Sequence, residues 1–140
     1  MLNIDWSAIN WLAVLVAAVV SFVIGGAWYA AIFAKAWQRL HGFTEEQVRA
    51  MGSNPARTFS ILGACDLAAA VALGVLAQKC GVEGLVDGLG LGLWCSVVAL
   101  GAFVVSTYIA SGKPLGLIAI DGGKMAVCLL VIGAILGAWR

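Results

Sequence analysis

Charge is what this chain has least of. Asp, Glu, Lys and Arg make up 11% of it against 63% hydrophobic residues, and mean hydropathy is +1.04. The net charge of +1 leaves no face or tail able to neutralise a run of phosphates, which excludes a nucleic-acid partner. The single histidine, His41, excludes haem ligation by paired histidines within one subunit. It falls in a polar connection, where a solvated surface position is expected. The four cysteines, Cys65, Cys80, Cys95 and Cys128, include no Cys-x-x-Cys pair, so neither a metal site nor a disulfide framework is indicated. Three of them fall inside apolar stretches and read as small hydrophobes. No nucleophile motif or phosphate loop is present, so an enzyme is not expected, and no cofactor is implied. No Lys or Arg precedes Lys35, so the first apolar stretch lacks the basic flank of a signal peptide and is expected to be retained as a helix.

What the chain has instead is four long apolar stretches: Trp11 to Ala34, Thr58 to Gln78, Gly88 to Gly112 and Pro114 to Trp139. The shortest reaches roughly 32 Å as a helix, against a hydrocarbon core of about 30 Å. The expected fold is therefore all-α, an integral membrane four-helix bundle, with spans over about 9–34, 55–79, 85–111 and 114–139. One domain is expected, with the lipid bilayer as its solvent and no soluble domain.

Lys35, Arg39, Arg49 and Arg57 lie in the first connection and Lys113 in the third, whereas Lys79 and Arg140 fall on the other side. The positive-inside rule then predicts cytoplasmic first and third connections, with both termini outside. Trp6, Trp11 and Trp139 fit the outer interface and Trp37 the inner one, while Trp28 and Trp94 lie deeper and are expected to pack between helices. In the first connection, Phe43, Thr44, Gln47 and Val48 hold the positions of a capping box with a hydrophobic staple, predicting a short interfacial helix from Glu45, closed by Gly52. Asn54 and Pro55 read as the cap and first residue of the second span, and Pro114 opens the fourth.

Two glycine stripes stand out. Gly84, Gly88 and Gly92 recur every four residues in the third span, and Gly133 and Gly137 do so in the fourth, both in the outer leaflet. Flat stripes let helix backbones approach closely, either between these two helices of one subunit or along a homodimer seam; the sequence leaves both open.

The apolar rule is broken by Asp66 in the second span and by Asp121 and Lys124 in the fourth. Counted from the prolines, Asp66 and Lys124 lie roughly 15 Å deep and Asp121 roughly 10 Å. A charge near the bilayer centre costs about 2.5–3.5 kcal/mol, so all three are expected to face the interior, with Asp121 and Lys124 pairing three residues apart. Gly25 and Gly26 fall at the same level, Tyr29 a turn nearer the cytoplasm, and Ser106, Thr107 and Tyr108 on the cytoplasmic side of the layer. Asp66, Asp121, Lys124, Tyr29 and Ser106 form the candidate polar cluster. It reads either as a buried pair with a neutral aspartate that fixes helix register, or as a proton or ion relay.

Ile9-Asn10-Trp11-Leu12-Ala13, then Gly25-Gly26-Ala27-Trp28-Tyr29 with Phe33, Lys35 and Trp37, and the closing Gly133-Ala134-Ile135-Leu136-Gly137-Ala138-Trp139 together resemble a family of small bacterial membrane proteins, domain of unknown function 1761. The resemblance runs over nearly the whole chain. It implies a four-helix protein of the bacterial inner membrane and supplies no activity. Two departures stand out. Ala30, Ala31 and Ala34 replace the family's usual Ser-Pro and Gly, which predicts a first helix less broken at its cytoplasmic end. Asp121 and Lys124 replace uncharged polar and aromatic positions. The leading expectation is a non-enzymatic protein that works by assembly, as a homo-oligomer or as an accessory subunit of a larger membrane complex. The alternative is a small proton- or ion-coupled transporter or channel using Asp66, Asp121 and Lys124.

Overall fold

The computed structural model describes residues 3–139. Arg140, used above in the orientation argument, lies outside them. Among the described residues every regular element is helical. Four of the helices are long and apolar enough to cross a membrane: α1 (Trp11–Ile32), α4 (Pro55–Lys79), α5 (Leu85–Ala110) and α6 (Leu115–Ala138). The chain is an all-α, multi-pass membrane bundle. Between α1 and α4 lie two short helices, α2 (Ala34–His41) and α3 (Glu45–Met51).

The helix ends follow their local chemistry. Asn10 caps α1 by accepting from the Ala13 amide at 3.0 Å, and Asn54 caps α4 by accepting from Arg57 at 3.1 Å. Thr44 and Gln47 close the expected capping box of α3, with Gly52 at its end. Pro114 stands just ahead of α6 rather than inside it.

The first connection departs from expectation. α1 does not run smoothly into the interface. Its last five residues, Trp28–Ile32, form a π-helical turn, and Phe33 at φ −114°, ψ 7° breaks the helix. The break occurs despite Ala30, Ala31 and Ala34, which were expected to leave this end less broken than in the family. The chain resumes as α2, whose Trp37 and Leu40 are partly buried while Lys35 and Arg39 stay exposed. It stops at Gly42, whose φ of 71° suits only glycine at low cost. α5 carries a second π-helical stretch, Leu100–Val105.

α1 packs between α4 and α6, and α6 packs against α5, α1 and α4, so α6 is the element the other three share. On the side of the termini, Ile9, Ala13, Val14, Ala17, Ala18, Ala70, Leu73, Ile132 and Leu136 form one buried cluster. Lipid tails are as apolar as these side chains, so the cluster is held by close contact, for which the alanines leave room. Its outer end is strapped. The Lys79 ammonium donates to the Asn3 carbonyl, Gln78 Nε2 to the Asp5 carbonyl at 2.7 Å, and Asn10 Nδ2 to the Trp139 carbonyl at 3.2 Å.

The α5/α6 crossing is closer still. A methyl group added at Gly88, Gly92, Gly133 or Gly137 would overlap, respectively, the backbone carbonyl of Gly133, Leu129, Gly88 or Gly84. Both stripes are thus used inside the chain, against each other. Trp94, expected between helices, points outward with 70% of its surface exposed. Trp28 does pack inward, donating from Nε1 to the Ile120 carbonyl at 3.0 Å.

Candidate functional site

On the connector side the bundle opens. Every residue of α4 from Pro55 to Leu62 is exposed, because that end of the helix stands clear of its neighbours. Two adjoining cavities result, one of about 590 Å³ and one of about 400 Å³. Asp66, Lys124 and Tyr29 line both and form the partition between them.

Asp121 is the most fully engaged charge. Tyr29 Oη donates to its Oδ1 and Tyr108 Oη to its Oδ2, each at 2.6 Å. That is the length of charge-assisted hydroxyl–carboxylate bonds. The tyrosines come from α1 and α5, so one carboxylate of α6 joins three helices. Asp66 on α4 accepts from Ser21 Oγ at 2.7 Å through Oδ1, and Ser21 is fully buried. Its Oδ2 has no partner among the described residues, yet it is not shut in.

Lys124 departs from the expected local pair. It makes no hydrogen bond or ion pair with any described residue. Its side chain instead crosses α1 at Gly25, where an added Cβ would stand 3.1 Å from Lys124 Cε. Gly25 therefore clears the path that brings the ammonium to the partition. Gly26, expected at the same level, has nothing within 4 Å of an added Cβ and serves no packing; it lines the smaller cavity. Gly84 takes part in packing through its carbonyl, against Gly137.

Ser106 does not join the cluster. It is exposed, and its hydroxyl turns back to the Ala102 and Phe103 carbonyls of its own helix. Tyr108 takes the place expected for it. An inward face begun at Gly88 and continued for five turns, or about eighteen residues, would arrive at Ser106 on an unbroken α-helix. The π-helical stretch winds more residues into each turn, delaying that face by about one residue and turning it away from Ser106 toward Tyr108.

His41 is also placed differently from expectation. It lines the larger cavity rather than standing in solvent, stacked on Phe43 with ring centroids 4.9 Å apart and beside Trp37 at 4.2 Å. Its Nδ1 lies 3.1 Å from the Trp37 carbonyl. Only the unforeseen helix α2 puts it there. Among the described residues no three His, Cys, Asp or Glu side chains converge as a metal site.

The site is thus a polar layer inside an apolar bundle, with two helices supplying its charges and two more supplying hydroxyls. Comparison with curated proteins and with solved structures gives no match. A family model described as protein of unknown function (DUF1761) matches residues 12–137, a range that contains the whole polar cluster and both glycine stripes. The chain belongs to that family.

Proposed function

We propose that this is a small, non-enzymatic, proton- or ion-coupled membrane carrier of the bacterial cytoplasmic membrane, with its termini outside and its first and third connections in the cytoplasm. The observation that carries the reading is the sharing of one cavity by Asp66, Asp121 and Lys124, with Lys124 unpaired among the described residues. A cluster that served only to fix helix register would be expected to satisfy its charges internally, because an unpaired charge in low dielectric is costly. The apolar cluster beyond it, from Ala13 to Leu136, supports a cavity that reaches the middle of the bundle from one side and stops there. Assembly as a homo-oligomer or accessory subunit drew its motive from the glycine stripes and the lack of a soluble domain, and of these the stripes are occupied within the chain.

Liposomes containing the protein and a trapped pH dye, challenged with a potential, test this. Proton or counter-ion flux at least tenfold above empty liposomes is expected, lost in Asp121→Asn and Lys124→Gln variants that still insert. Wild-type flux equal to that of empty liposomes would sink the carrier reading.

A further inference from the structure

The partition between the cavities holds two polar groups whose bonding capacity is unused among the described residues: the Asp66 Oδ2 acceptor and the Lys124 ammonium. Neither is enclosed by protein, and both face the same two spaces. We propose that this pair is a binding site for a zwitterionic head group, whose primary ammonium donates to Asp66 and whose phosphate or carboxylate accepts from Lys124. The inference rests on the carrier reading and names the chemical class of its cargo.

Charge balance favours this class. A purely anionic ligand satisfies Lys124 and leaves Asp66 facing a like charge; a purely cationic one does the reverse. A zwitterion pairs both, and in a low-dielectric cavity each unmet partner is expensive. Asp121 competes less well, because each of its oxygens already accepts a tyrosine hydroxyl. The surroundings suit a molecule with an apolar part. Phe22, Phe59, Leu62 and Ala30 line the smaller cavity around the charged partition. The end of α4, Pro55 to Leu62, is exposed and leaves the flanks of the cavity uncovered by protein. A lipid head group and a free apolar amino acid share the required chemistry.

The test uses the full chain in maltoside micelles, titrated with dioctanoyl phosphatidylethanolamine, phosphatidylcholine and phosphatidylglycerol and read by native mass spectrometry. Phosphatidylcholine keeps both charges but has no N–H for Asp66, and phosphatidylglycerol has only the anion. One phosphatidylethanolamine per chain is expected, bound at least tenfold tighter than either of the others. Asp66→Asn should abolish that preference, and Lys124→Gln should weaken all three. Displacement of phosphatidylethanolamine by millimolar phenylalanine would assign a free amino acid as the source. No displacement, with the preference intact, would assign a lipid. Equal binding of the three lipids by the wild type overturns the proposal whatever the variants do, and so does a preference that survives Asp66→Asn. Binding without flux would keep the site and remove the coupling; flux without binding would do the opposite.

Discussion

The two halves of this bundle solve the same problem in opposite ways. On the side of the termini, small residues bring backbones into direct contact, and the straps from Asn3, Asp5 and Asn10 hold the helix ends together. On the connector side the helices are the same ones, yet α4 stands clear, two of them are wound into π-helical turns, and polar side chains bridge the gap. Where dispersion is the main attraction available, closeness supplies the stability and leaves no room for chemistry. The open half gives up that contact and recovers part of it through hydrogen bonds, which also leaves groups free to meet a ligand.

The contrast is sharpest in its glycines. Gly133→Val forces a branched side chain into the Gly88 backbone and should lower stability by about 3 kcal/mol, read as a large fall in Tm in detergent. Gly26→Ala, on the same scale, should be neutral or stabilise α1 by up to about 1 kcal/mol, since nothing lies near the added methyl and alanine favours helix. Similar losses for both would erase the distinction between the halves.

A smaller effect is expected from the hydroxyls. Tyr108→Phe removes one of two donors to Asp121 while leaving the ring, and should cost about 1–2 kcal/mol. Tyr29→Phe should cost a similar amount, and the double variant should differ from the sum of the singles because both act on one carboxylate. Strict additivity would mean that the three groups do not act as a unit. Trp28→Phe, which breaks the bond to the Ile120 carbonyl, should cost about 1 kcal/mol.

The smallest effect belongs to the strapped end. Hydrogen bonds from the Ser7 hydroxyl and amide hold the exposed Asp5 carboxyl below its ordinary value of 3.8. A depressed carboxyl pKa adds stability above the unfolded value, and that contribution is lost as pH falls through the folded one. Ser7→Ala should move the Asp5 titration up toward 3.8 by NMR with little change in Tm. A titration left where it was would show that the amide bond alone sets it.

The four spans and the caps at Thr44 and Asn54 were legible because hydropathy and capping chemistry are local. That Asp66, Asp121 and Lys124 share one level of the bundle was legible as well, since rise per residue is nearly constant along a helix. Azimuth was not. Which side of a helix a residue faces depends on the winding of every turn before it, so a π-helical stretch moved Tyr108 inward where Ser106 was expected. His41 was misjudged for a related reason. The part of the connection ahead of the Glu45 helix, read without a helix of its own, contained α2, and that helix carries His41 onto the cavity. The absence of an Asp121–Lys124 pair was also beyond sequence spacing, because it depends on the tyrosines taking Asp121 and on Gly25 opening another course for the lysine.

The π-helical turn at Leu100–Val105 precedes Tyr108 and sets the phase of its hydroxyl on Asp121, while the one at Trp28–Ile32 holds Tyr29 itself. Each residue of an α-helix turns the chain by about 100°, so shedding one surplus residue would swing all that follows by more than a quarter circle. Tyr108 would then leave Asp121 without any helix moving bodily across the membrane. The bundle thus keeps angular slack in the same layer as its charges, where a change of winding alone alters which groups meet.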